Sequence, residues 1–125
     1  MRIRNHAGGA RPVVGRRRSL VGRMIRGEIW LAPVGRTRRP VLVLTRSEVI
    51  DVRSLVTVAE VTTSARGLAA EVPIRDESAG VDHDSVINCD GLHTVAQSSL
   101  TDRVGEVGDA TMTDVCAAVS YALGC

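Results

Sequence analysis

Polar and apolar positions alternate along EIWLA (28–32) and again along SLVTVAEVT (54–62), where Leu55, Thr57, Ala59 and Val61 fall opposite Val56, Val58, Glu60 and Thr62. A period of two sends successive side chains to opposite faces of a strand. Between these stretches PVLVLT (40–45) is an unbroken, β-branched apolar run, the pattern of a strand built for burial. AEVPI (70–74), SVINC (85–89), LHTV (92–95) and RVGEV (103–107) repeat the short-strand signature, with Gly35, Gly67, Gly80, Gly91 and Gly108 in or beside the joints. About seven short strands in this span predict a small curled sheet or barrel.

The period changes near the end of the chain. In ATMTDVCAAVSYAL (110–123), Met112, Val115, Cys116, Val119 and Leu123 recur at helical spacing, with Asp109 placed to cap the segment and Gly124 to stop it. One amphipathic helix is expected, its apolar stripe covering a face of the sheet. A shorter helical turn is expected in QSSLTD (97–102), with Ser98 or Ser99 as cap. The fold class is therefore mostly β with α, an α+β domain.

With 125 residues, 44% of them apolar, the chain can form one packed core. Trp30 and Tyr121 are its only aromatic residues, so base stacking on an aromatic platform is largely out of reach. The formal charge of +2 is unevenly divided: residues 1–23 hold seven arginines and no acid, leaving nine arginines against 14 acids, or −5, over 24–125. Every cation is Arg, whose planar fork can grip phosphate through two bonds, although coding bias also produces such usage. MRIRNHAGGARPVVGRRRSLVGR mixes Gly, Pro and like charges without periodicity, which predicts a flexible basic arm over 1–23, in functional terms a nonspecific nucleic-acid handle. Met24 opens MIRGEIW like a fresh start, the pattern expected were the arm an extension upstream of the initiator, and the folded domain is expected at 24–125.

Cys89, Cys116 and Cys125 are odd in number and widely spaced, as suits reduced thiols in a cytoplasm. No apolar run approaches the ~20 residues of a membrane span. RRRSLVG has a twin-arginine flavour, but Arg23 and Arg26 break up the segment after it, so a soluble, unexported protein without membrane contact is expected.

No Gly-rich phosphate loop, GxSxG elbow, HExxH or paired CxxC occurs, and nucleotide hydrolases, serine hydrolases and zinc enzymes lose support accordingly. Cys89 and His93 stand four apart like half a metal site, but the sequence offers no second half, so no metal or cofactor is expected. DHD (82–84) reads as a solvated turn, and His6 falls in the arm. The informative stretch is RTRRPVLVLTRSE (36–48), where Arg36, Arg38 and Arg39 abut Pro40. A proline suits a strand's first residue and forces the residue before it into extended backbone, so Arg39 is expected at a sheet rim in a fixed direction. A solvated gatekeeper arginine beside an apolar strand has the same pattern.

Five blocks in register add to this: MIRGEIWLA (24–32), RRPVLVLT (38–45), VAEVTTS (58–64), DSVINCDGLHTV (84–95) and SLTDRVGEV (99–107). Together they resemble the MazF/PemK family of toxin endoribonucleases, over some four fifths of the chain. The resemblance implies an SH3-like, CcdB/PemK-like barrel with a C-terminal helix, a homodimer, inhibition by a cognate antitoxin, and metal-independent cleavage of single-stranded RNA at short sequences. It also implies a catalytic pair, Arg39 and Thr62, and places Asn88 and Asp90 near the RNA groove, where their polar groups can read an unstacked base edge. Arg36, Arg38, Ser64 and Arg66 are candidates for contacts to the RNA backbone. One departure stands out: related sequences often carry a glutamate in a longer first loop, whereas APVGRT (32–37) is short and has no carboxylate.

Metal-free cleavage uses the substrate's own 2′-OH as nucleophile. The protein must help deprotonate it, offset charge on a phosphorane-like transition state and see the leaving 5′-oxygen protonated. Arg39 suits the second task, since a guanidinium holds its proton too tightly to serve as a shuttle at neutral pH. Thr62 can orient the 2′-OH or bridge a phosphate oxygen. His93 offers an imidazole, the side chain most often used for acid–base work, yet a half-exposed structural histidine on a strand explains it too. Two rival readings are a CcdB-like gyrase-inhibiting toxin, similar in fold, and a noncatalytic family member that only binds RNA or antitoxin.

Overall fold

The computed structural model describes residues 24–125; the basic arm expected over 1–23 lies outside them. The first element is a hairpin. β1 (Glu28–Val34) and β2 (Thr37–Val43) pair from Ile29↔Leu42 out to Val34↔Thr37, which leaves a two-residue turn at Gly35–Arg36. Gly35 has φ +65°, the left-handed region that tight hairpin turns require. A one-turn helix α1 (Ser47–Ile50), absent from the sequence expectation, then leads to β3 (Leu55–Thr62), β4 (Glu71–Pro73), β5 (Val86–Ala96), β6 (Asp102–Glu106) and α2 (Asp109–Leu123). Short 3₁₀ turns at Glu77–Ala79 and Gln97–Ser99 flank β5. The strands form one antiparallel sheet in the order β4-β5-β3-β2-β1-β6, curled into a half-barrel.

Six strands replace the expected seven because SVINC and LHTV belong to one strand. β5 pairs with β3 on both sides of a bulge: Ala59 faces Leu92 and Glu60 faces Asn88, so Cys89, Asp90 and Gly91 have no opposite number. Pro40 is not the first residue of its strand but the fourth, facing Leu31. It is tolerated because β2 begins pairing with β3 only at Val41, so the strand is still an edge on that side.

The sheet is buried on both faces, as the apolar run of β2 required. Leu42, Ala59, Val61, Ile87 and Cys89 pack on one face beneath Val115 and Ala118 of α2. Val41, Val43, Val56, Val58 and Trp30 pack on the other with Met24, Ile50 and Leu100. Glu28, almost wholly buried, anchors this region by accepting bonds from Trp30 Nε1 at 3.0 Å and Arg103 Nε at 2.8 Å.

α2 is rotated from the expected stripe. Val115 and Ala118 are buried with Met112, Val119 and Ala122 partly so, while Cys116 and Leu123 are exposed beside a groove of about 520 Å³ shared with Leu44, Val49 and Leu92. The cap also differs. Gly108 is the N-cap residue, and the work expected of Asp109 is done from a distance by Asp76, which accepts from Gly108 N and Thr111 Oγ1, both at 2.7 Å. Gly124, φ +77°, ends the helix as expected. Among the described residues no helix is long and apolar enough to cross a membrane.

Candidate active site

β2 and β3 part company at one rim of the sheet. Their ladder ends at Val41↔Glu60, and Arg39 and Thr62, each two residues beyond it, share by alternation the face of Val41 and Glu60. Both strands run on past the point where they stop pairing, because each has another neighbour: Arg39 faces Ala32 on β1, and Thr62 faces Val86 on β5. The result is an open rim with a guanidinium on one lip and a hydroxyl on the other. Arg39 is exposed, its Nε donating to Thr37 Oγ1 at 3.4 Å, so its fork of nitrogens projects from a backbone fixed by the sheet.

Next to this rim lies an open cleft of about 350 Å³ lined by Glu60, Thr62, Ser64, Arg66, Glu71 and Asn88. Thr62 Oγ1 accepts from Ser64 N at 3.0 Å, which turns the chain away from the sheet. Glu71 ties down the next loop: its carboxylate accepts from Arg66 N at 2.9 and 3.0 Å and from Leu68 N at 3.1 Å. Those amide bonds, Leu68 foremost, hold the Glu71 carboxyl below the usual carboxylate range against a smaller opposing effect of desolvation. Arg66 is thereby presented at the mouth of the cleft.

Four of the residues singled out from sequence, Thr62, Ser64, Arg66 and Asn88, therefore converge on one cavity; Arg39 is not among its lining residues and is related to it only by sharing the sheet face of Thr62. Asp90 N donates to Asn88 Oδ1 at 3.0 Å, and the Asp90 side chain is exposed in the β5 bulge. Arg36 is exposed at the hairpin tip. Arg38 points elsewhere: its Nη2 reaches Leu31 O and Ser99 O at 3.1 Å and Thr101 Oγ1 at 2.6 Å, so it braces β1 against the chain entering β6. Cys89 and His93 do not converge, since Cys89 packs beneath α2 while His93 meets the Glu60 carboxylate on the opposite face.

A family model matches residues 25–123 and describes a PemK-like, MazF-like toxin of type II toxin–antitoxin systems. The chain belongs to this family. It is a MazF-like endoribonuclease toxin. Among its relatives, a probable endoribonuclease MazF5 of Mycobacterium tuberculosis is 37% identical over 103 residues, covering 80% of this chain and 93% of the relative. The solved M. tuberculosis toxin MazF-mt6 superposes with a TM-score of 0.72 at 35% identity, covering 78% of this chain and 96% of that one. A mycobacterial endoribonuclease solved in complex with its cognate antitoxin gives the same TM-score at 25% identity, covering 81% and 95%.

Within this MazF-like frame, two residues not singled out from the sequence take part in the site. Glu71 falls in a short strand pattern, and nothing in its spacing announces a loop clamp. Glu60 does leave a signal: on the face Val56, Val58, Glu60, Thr62 it is the carboxylate that interrupts an apolar alternation.

Proposed function

We propose that residues 24–125 cleave single-stranded RNA without metal, through attack of the substrate's 2′-OH on the adjacent phosphate, with Arg39 and Thr62 as the catalytic pair. The observation that carries this reading is the placement of Arg39 and Thr62 on one sheet face, where β2 and β3 part beside a cleft. Arg39 lays its fork on the nonbridging oxygens, where charge grows in the transition state. The Thr62 hydroxyl, itself accepting from Ser64 N, donates to the phosphate or orients the 2′-OH. Arg66 and Ser64 hold the RNA backbone on the loop side, Arg36 does so from the hairpin tip, and Asn88 and Asp90 read a base edge. Arg38 serves the fold rather than the RNA.

The active unit is a cytoplasmic homodimer restrained by a cognate antitoxin, in keeping with the relative solved in such a complex. End-group analysis on a mixed RNA tests the chemistry. In the presence of a chelator the products should carry a 2′,3′-cyclic phosphate or 3′-phosphate and a 5′-hydroxyl. Cleavage that needs magnesium, or that leaves 5′-phosphates, contradicts the proposal.

A further inference from the structure

Arg39 and Thr62 leave the 2′-OH proton without an acceptor, and the face they occupy carries one. Glu60 lies between Val58 and Thr62 on β3 and opposite the buried Val41, with only 28% of its side chain exposed. A carboxylate in such apolar company is costly unless it is partnered. The partner is His93 of β5, whose Nε2 meets Glu60 Oε2. Glu60 nevertheless also lines the Thr62 cleft. The β5 bulge makes room for this: a Cβ at Gly91 would stand 3.3 Å from Glu60 Cδ and 3.0 Å from Asn88 Nδ2, so a side chain there would press on both. Of the other charged groups near this corner, Arg66 and Glu71 line the cleft, Arg39 shares the sheet face from β2, and Asp90 is exposed in the bulge.

We propose that Glu60 is the general base of the cleavage step and that His93 is the positioning residue that holds its carboxylate. This rests on the nuclease reading. Glu60 takes the 2′-OH proton as the O2′–P bond forms. The P–O5′ bond breaks, and the 5′-oxygen takes a proton from a solvent water. The hydroxide left behind recovers the proton from Glu60, so the products are a 2′,3′-cyclic phosphate and a 5′-hydroxyl with the enzyme unchanged.

Single-turnover cleavage by Glu60→Gln, an isosteric change, should fall by about 10²–10³-fold. Its affinity for the same RNA with a 2′-deoxy nucleotide at the cut site should stay close to wild type. The acid limb of the pH–rate profile should vanish in Glu60→Gln, and in His93→Gln it should move while cleavage persists. A substrate with a bridging 5′-sulfur needs no proton on its leaving group, so the Glu60→Gln defect should be undiminished on it. Disappearance of the defect there makes Glu60 an acid and overturns the assignment. Glu60→Asp keeps the charge beside His93 but withdraws the carboxylate by one methylene. It should retain the acid limb and lose about tenfold or more in rate. Wild-type rates in both Glu60 variants overturn the proposal. If Arg39→Ala is inactive while these cleave at full rate, only the Glu60 assignment fails; if the wild-type protein does not cleave RNA, the nuclease reading itself fails.

Discussion

Arg39 is valuable for its shape as much as for its charge. A guanidinium offers two parallel donors to a phosphoryl group, whereas an ammonium on a flexible stem acts as a point charge. Arg39→Lys therefore separates transition-state stabilisation from simple attraction. Arg39→Ala and Thr62→Ala should each lower kcat/KM by about 10²-fold or more with unchanged thermal unfolding, and Arg39→Lys should recover RNA affinity far better than rate. Equal recovery of both would reduce Arg39 to a steering charge. Cys89 illustrates the opposite kind of residue. Burial first, then the neighbouring charges of Asp90 and Cys116, push its thiol up to about 11. At pH 8 a thiol reagent should modify the exposed Cys116 and Cys125 and spare Cys89 until the protein is denatured, as peptide mapping by mass would show.

The elements show how a remote residue can govern local structure. α2 begins without a side-chain cap of its own and borrows one from Asp76, which lies before the 3₁₀ turn at Glu77–Ala79. Asp76→Ala should cost about 1–2 kcal/mol in urea unfolding, the usual worth of an N-cap, while Asp109→Ala should cost distinctly less. The sequence points to Asp109 because adjacency is the only guide to capping that a sequence offers, and only the fold brings Asp76 within reach. The same limit explains the other departures. Alternation in SVINC and LHTV is legible, but the bulge joining them is a relation to β3 and leaves no local mark. The helix is legible in its length and stop, whereas its buried face depends on which side the sheet approaches. Arg39 and Thr62 are picked out together by the family resemblance; local pattern alone gives only an arginine before a strand proline and a strand-end threonine. The bracing role of Arg38 is not legible, since its partners at Leu31, Ser99 and Thr101 are scattered through the chain.

For the whole molecule the governing fact is a folded body of net charge −5 that must hold a polyanion. Long-range attraction from the body is absent, so affinity has to come from a few close contacts, each releasing counterions from a single strand with a slope of about −0.7 in log K against log salt. Two arginines near the hairpin and the loop then separate cleanly. Arg66 stands at the cleft on a loop clamped by Glu71, and Arg66→Ala should make the slope shallower by about 0.7 while leaving stability unchanged. Arg38 spends its Nη2 on the β1 and β6 side, so Arg38→Ala should lower the melting temperature and leave the slope where it was. If the basic stretch of residues 1–23 is a nucleic-acid handle, as its seven arginines lead us to propose, its contribution is separable from these two. Removing that stretch should weaken binding to any single strand at low salt, with the loss fading as salt rises, and should leave the sites of cleavage unchanged. Altered cut sites in the truncated protein would mean that the arm reads sequence, which its lack of aromatic residues argues against.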